Sequence, residues 1–245
     1  MKYYPPRFLF RRFELVRRIA PGGTFLEVGP GSFNLTKDLL KLFNDGVVVD
    51  FNEEVRRTFD LLSRAERSDL SLVISDFNSF ESTETFSAII ACEVLEHIED
   101  EAEFLRHAYY LLGKRGQLVL SVPARRKFWS VHDEGVGHLR RYEKKELREF
   151  LKEQGFINVN IISYGFPFVN ILRLPRIILA KKQHIRNSRL TTIQQTKESG
   201  LSQYRVMAGA FGLICNKYTI APLSLLASFF NKCDFSNGYI VIAEK

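Results

Sequence analysis

The hydrophobic pattern changes period repeatedly along the chain. Short apolar runs, "TFLEV" (24–28), "VVVD" (47–50), "LVISD" (72–76), "FSAIIAC" (86–92) and "QLVLSV" (117–122), are dense in β-formers and read as strands. Between them the apolar residues recur every three or four positions. Leu35, Leu39, Leu42 and Phe43 share one helical face, as do Val55, Phe59 and Leu62. A further helix is expected near 100–112, and "EKKELREFLKEQG" (143–155) reads as a helix ended by glycine. Alternation of this kind predicts a parallel sheet with helices on both faces, closed by a last strand "GYIVIAE" (238–244).

The pattern breaks between 166 and 237. "FPFVNILRLPRIILA" is apolar but interrupted by arginines and prolines. A polar, basic stretch follows, and then "VMAGAFGLICNKYTIAPLSLLASFF" (206–230). That run is long enough to span a bilayer, yet Asn216, Lys217 and Pro222 sit near its middle. We read residues 166–237 as an inserted helical cap, apolar and basic, that packs on the domain or lies on a membrane surface. Residues 1–165 and 238–245 form the main domain.

Composition changes this picture in two places. The net charge of +7 is held locally: residues 1–20 contribute +5 and residues 173–189 contribute +6, leaving −4 for the remainder. Local basic patches suit an acidic partner, either lipid or nucleic acid, or simply a soluble surface. The three cysteines, Cys92, Cys215 and Cys233, form no close-spaced pattern, and the first residues have no signal-peptide form. A cytoplasmic chain is expected, with the inner face of a membrane as a place of contact through 166–230.

The first candidate site is "LEVGPGSFNLT" (26–36), a strand, a glycine turn and a helix start. Gly29 and Gly31, with Pro30 between them, let a ligand approach the backbone. A dinucleotide fingerprint would place a glycine at position 34, where Asn34 stands, and the lysine of a phosphate loop is missing. Asp50 ends the next strand, where a carboxylate can accept two ribose hydroxyls. Asp76 ends the third, followed by Phe77, whose ring can lie against a purine.

These stretches, "EVGPGS", "VVVDFN", "ISDF" and "AIIACEVLEHIED", resemble the successive motifs of class I S-adenosylmethionine-dependent methyltransferases over residues 20–165 and the final strand. The resemblance implies a Rossmann-like, doubly wound α/β fold with a seven-stranded, mostly parallel sheet and a helical insertion before the last strand. It also implies S-adenosylmethionine as cofactor. Glu27, Gly29, Pro30 and Gly31 would then hold its methionine end, Asp50 with Phe51 its ribose, and Asp76 with Phe77 its adenine, with Cys92 lining the site. Phe33 stands where that family has its third glycine.

The second candidate site is "CEVLEHIED" (92–100). At i, i+3 and i+4, Glu93, Glu96 and His97 share one face if the segment is helical. His138, in "GVGHLRRY" (135–142), is expected near the same crevice. Glu93, Glu96, His97 and His138 make a mixed oxygen and nitrogen donor set for a divalent metal such as Mg, Mn or Zn. The alternative is helix-start charges and a packed histidine. This arrangement resembles the ubiquinone-pathway O-methyltransferases most closely, and also the small-RNA 3′-terminal 2′-O-methyltransferases. His132 or His138 would serve as general base, with Glu93 beside them as a third catalytic candidate. His132, Asp133 and Glu134 form a polar group for which a hydrogen-bonded loop is the alternative. Arg140, Arg141 and Tyr142 are candidates for clamping an anionic substrate, or for a solvated helix start.

The leading expectation is O-methylation of a hydrophobic or lipid-linked small molecule, with a homodimer through the cap as a further expectation. RNA 2′-O-methylation is the alternative, weakened by the absence of any recognisable RNA-binding module. A cofactor-binding scaffold that partners another enzyme is the third.

Overall fold

The computed structural model describes residues 6–173 and 217–245. Seven strands form one sheet in the order β3-β2-β1-β4-β5-β7-β6. They are β1 (Thr24–Val28), β2 (Asp45–Asp50), β3 (Leu70–Ile74), β4 (Phe86–Cys92), β5 (Leu112–Pro123), β6 (Ile157–Ser163) and β7 (Gly238–Glu244). The pairs β1–β2, β1–β4, β2–β3 and β4–β5 are parallel, so the sheet is mostly parallel, as the strand–helix alternation predicts. β1 and β4 are closed to solvent along most of their length, which is why they read as continuous apolar runs.

The described helices are α1 (Pro6–Val16), α2 (Thr36–Leu39), α3 (Val55–Phe59), α4 (Arg64–Ser68), α5 (Glu101–Leu111), α6 (Val131–Val136), α7 (Lys144–Glu153), α8 (Phe168–Ile171) and, closing the series, α9 (Lys217–Ser228). Local chemistry sets several of their starts. Ser63 and Glu66 cap α4 reciprocally, each bonding the other's backbone N–H at 3.2 and 2.8 Å. Asp100 caps α5 by accepting from Glu103 N at 2.8 Å, so the last acid of "CEVLEHIED" is indeed a helix-start charge.

The chain divides into two compact units. Unit one comprises residues 1–17, 122–144 and 162–240, and unit two comprises 18–121, 145–161 and 241–245. In unit one, α1 packs on α8 and α9, with Phe10 stacked on Phe168 at 5.8 Å. Phe166 meets Phe230 and Phe235 at 5.4 and 5.5 Å. The helical flanks of the expected cap, α8 and α9, are present in this unit. Its central part, 174–216, lies outside the described residues, and so do residues 206–216 of the run 206–230. Among the described residues no helix is long and apolar enough to cross a membrane.

Helix α9 is apolar on its outer side as well as its inner one. Ile220, Ser224 and Ala227 are buried, whereas Tyr218 (75% exposed), Leu225, Leu226 and, just past the helix end, Phe229 (81%) face outward. A soluble helix ordinarily presents polar residues on its outer face.

Candidate functional site

Parallel pairing in unit two brings the carboxyl ends of four strands to one edge. Val28 is paired with Val49 and with Ala91, so Gly29 stands level with Asp50 and Cys92. Gly29 N donates to Val49 O at 2.9 Å, which fixes the turn on the sheet. Both glycines take left-handed backbone, φ +67° and +54°. A Cβ on Gly29 would come within 3.0 Å of Val94, while one on Gly31 would meet nothing within 4 Å. The backbone at Gly31 therefore borders open space that a ligand can enter, so the turn fits the methionine end of S-adenosylmethionine.

Phe33 explains itself in the same turn. Its φ is +57°, the conformation for which glycine is the default residue. The ring is fully buried and lies edge-on to Phe59 at 5.7 Å. Aromatic burial thus holds a residue in a backbone region that costs an L-residue about 1–2 kcal/mol.

Glu27 is buried and its Oε2 accepts from the Thr36 hydroxyl at 2.5 Å, tying β1 to the first residue of α2. The Asp50 carboxylate accepts from Asn52 N at 2.8 Å, and Phe51 beside it is 47% exposed. Asp76 is exposed and caps a short 3₁₀ turn by accepting from Asn78 N at 2.8 Å. The Phe77 ring is buried against Phe104 and His107, at 4.6 and 5.0 Å.

"CEVLEH" is not α-helical. Glu93 takes φ +58°, and Leu95–His97 form a single 3₁₀ turn. The left-handed residue directly after β4 cannot start an α-helix, so the shared helical face expected from the spacing is not formed. Glu93 N donates to Ser121 O at 2.8 Å, and Glu93 Oε1 accepts from the Ser121 hydroxyl at 3.1 Å. Glu96 is nonetheless buried (0% exposed), and its carboxylate lies within 4.8 Å of a His97 ring nitrogen. Cys92 is half-buried and in no disulfide. His138 and His132 belong to unit one.

In unit one, Asp133 is the hub of a buried network. It accepts from Ser130 N and Oγ at 2.9 and 3.0 Å, from His138 Nδ1 at 2.9 Å, and from Arg141 Nε and Nη2 at 2.9 and 2.7 Å. Burial pushes the Asp133 carboxyl up, but the His138 hydrogen bond and the Arg141 charge outweigh it and hold the group below the usual carboxylate range. Gly137, at φ +79°, ends α6 and turns the chain so that His138 N meets Asp133 O at 2.9 Å. Arg141 also donates from Nη1 to Ala124 O at 2.9 Å. It is 5% exposed, and Tyr142 is buried with its backbone bridged to Ala124. Of the three residues expected as an anion clamp or a solvated helix start, Arg141 and Tyr142 are buried, with Asp133 neutralising Arg141 internally, while Arg140 is half-buried. His132 is half-buried, and Glu134 accepts from Trp129 Nε1 at 3.2 Å.

Several residues at these sites carry no signal in the sequence. Thr36 and Ser121 are ordinary hydroxyls until the sheet places them on Glu27 and Glu93. Asn237 precedes Gly238, and an Asn-Gly pair reads only as a turn.

The profile of the methyltransferase-domain family matches residues 1–161, and the chain belongs to that family. It is 26% identical over 162 residues to a probable S-adenosylmethionine-dependent methyltransferase of Mycobacterium tuberculosis, covering 62% of this chain and 57% of the relative. The match thus spans little more than half of that protein. Among solved structures, a candidate methyltransferase of Bacillus halodurans superposes with TM-score 0.57 at 16% identity, over 97% of this chain and 98% of its own. Phosphoethanolamine N-methyltransferase 2 of Haemonchus contortus gives TM-score 0.57 at 15% identity, over 96% of this chain but 52% of that one. The [4+2]-cyclase SpnF gives 0.58 at 17%, over 98% and 80%. At these identities the likeness shows the fold alone.

Proposed function

We propose that the chain is an S-adenosylmethionine-dependent methyltransferase that methylates an oxygen of a hydrophobic or lipid-linked small molecule at the inner face of a membrane. The observation that carries the cofactor assignment is the glycine turn of unit two, with open space at Gly31 and an acid at the level of Gly29. Bound there, the cofactor supplies an electrophilic methyl group. The Gly29–Gly31 backbone would cradle its methionine end, with Glu27 stiffening the turn through Thr36 and Cys92 lining the edge. Asp50 with Phe51 would take the ribose, and Asp76 with Phe77 the adenine.

Unit one contains a candidate proton acceptor of its own. The ionised Asp133 carboxylate orients His138 by accepting from Nδ1, which directs the ring's proton-accepting capacity to Nε2. This is the arrangement a general base needs. His132 and Glu93 are the further candidates. The outward apolar face of α9, a helix that packs on the arginine-rich α1, supports contact with an anionic lipid surface.

A second reading adds a divalent cation at Glu93, Glu96 and His97, the members of the expected donor set that belong to unit two. It is favoured by the buried Glu96 carboxylate beside His97. One experiment separates these readings: methyl-labelled cofactor is incubated with the protein and host extract, with and without chelator, and lipid, RNA and small-molecule fractions are counted. Label in lipid or small molecules supports the O-methyltransferase. Label in RNA sinks it in favour of nucleic-acid modification, and cofactor binding with no label anywhere favours a scaffold. Loss of label with chelator supports the metal.

A further inference from the structure

Three cationic groups of unit one converge on the ring of Phe128. The Arg173 guanidinium lies over it at 4.8 Å from the centroid, the Lys127 ammonium at 5.4 Å and the Arg125 guanidinium at 5.7 Å. A ring has two faces, so at least two of these charges share one. Arg173 follows α8, 45 residues along the chain, and is held in place by Nη2, which donates to Phe128 O at 2.9 Å. Arg125 is anchored by Nη1 on Asp234 O.

Nearby carboxylates do not neutralise this group. Glu143 accepts from Arg126 N at 2.9 Å, and Asp234 accepts from the Tyr239 hydroxyl. Among the described residues no carboxylate is ion-paired with Arg125, Lys127 or Arg173. The ring attracts each cation but does not cancel their mutual repulsion. Lys127 is exposed, and Arg125 and Arg173 are half-buried, so an anion can approach from solvent.

The neighbouring side chains decide which anion. Ile171 and Leu172, directly before Arg173, are exposed, and so is Trp129, directly after Phe128. Asn170 Nδ2 donates to Phe235 O at 2.7 Å, and Phe235 and Phe230, both in contact with Phe166, are exposed as well. A free phosphate would leave these apolar groups in water. A nucleic-acid base would need an open ring face to stack on, and the faces of Phe128 carry cations. A bilayer surface takes both kinds of group: phosphodiesters meet the charges, and the interfacial layer receives the aliphatic and aromatic side chains. We infer that Arg125, Lys127 and Arg173, gathered on Phe128, form a head-group site for the phosphodiester of an anionic phospholipid. This rests on the membrane part of the proposed function, and it adds the lipid class and the residues that select it.

The test measures binding of the full chain to phosphatidylcholine vesicles with and without phosphatidylglycerol, by flotation at increasing salt. Anionic vesicles should be preferred, and the preference should fade as salt screens the charges. Lys127→Gln and Arg173→Gln should each weaken binding about fivefold, and together about thirtyfold, the worth of one cation each at an anionic surface. Lys127→Arg should bind as the wild type does, which a merely structural role for Lys127 would not require. If Arg173→Gln fails to fold, Lys127→Gln and Lys127→Arg carry the comparison, since Lys127 is exposed. Equal binding to both vesicles, or binding unchanged by the glutamine variants, overturns the inference and leaves α9 as the contact. Tighter binding to single-stranded oligouridylate, lost in the same variants, overturns it in favour of nucleic acid. Wild-type chain that floats with neither vesicle removes the membrane reading itself.

Discussion

Replacing Asp133 by asparagine preserves its shape and removes the one negative charge in a closed network. The carboxylate is 0% exposed and Arg141 is 5% exposed, so neither ion is relieved by water. An asparagine amide also turns an N–H donor toward groups that are donors themselves: Ser130 N, His138 Nδ1 and Arg141. Removing one partner of a buried pair costs about 3–5 kcal/mol. In a chain of this length each kcal/mol moves the melting midpoint by about 2–4 °C, so Asp133→Asn should melt about 6–20 °C below the wild type. The pH dependence has a definite sign. A carboxyl held below its unfolded value stabilises the fold above that value, about pH 4, and this stability is lost as pH falls through the folded pKa. The gap between wild type and variant should therefore be constant from about pH 8 to 5 and should narrow below about pH 4. Thermal denaturation followed by circular dichroism at several pH values measures both. A variant melting within about 2 °C of the wild type, or a gap that widens in acid, would refute the buried-hub argument.

Other consequences follow from the same geometry. Phe33→Gly relieves about 1 kcal/mol of backbone strain but forfeits about 3–5 kcal/mol of aromatic burial, so denaturant unfolding should show a net loss of about 2–4 kcal/mol. Gly31→Ala should lower S-adenosylhomocysteine affinity in calorimetry by about tenfold or more while costing about 1 kcal/mol of stability, since its methyl group fills space the ligand needs. Replacing Leu225 and Phe229 by glutamate should abolish co-sedimentation with anionic vesicles without lowering the melting temperature; retained sedimentation would exclude α9 as the contact. Lys37 hydrogen-bonds Glu66 at 2.7 Å and, together with the capping bonds of Ser63, lowers its pKa to about 2, yet both side chains are partly solvated. Lys37→Met should therefore cost less than about 1 kcal/mol near neutral pH, with the difference fading between about pH 4 and 2.

The strands were legible because each is long, apolar and bounded by turn residues. β1, β4 and β7 begin and end where the pattern places them. The cofactor edge was legible as well: a Gly-Pro-Gly turn after one strand and acids after the next two can meet only if the strands are parallel and adjacent, as they are. The segment after β4 was misread, because spacing reports a shared face only if the backbone is helical. The left-handed Glu93 changes that backbone without any glycine to announce it.

The sequence by itself therefore determined six of the seven strands and the edge where a cofactor would lie, since these follow from local periodicity and turn residues; β6, whose first residues are mostly exposed, was not read. Only the tertiary structure decided the fate of individual polar side chains. Arg141, expected at a substrate, is consumed by Asp133, and His138 is oriented by the same carboxylate. Asn231 and Asn237, silent in the sequence, are left buried with unmet hydrogen bonds. The reason is physical: periodicity says which face of an element is inside, whereas a polar atom's partner is set by how the backbone turns, as at Gly137 between Asp133 and His138, and by segments brought in from elsewhere in the chain.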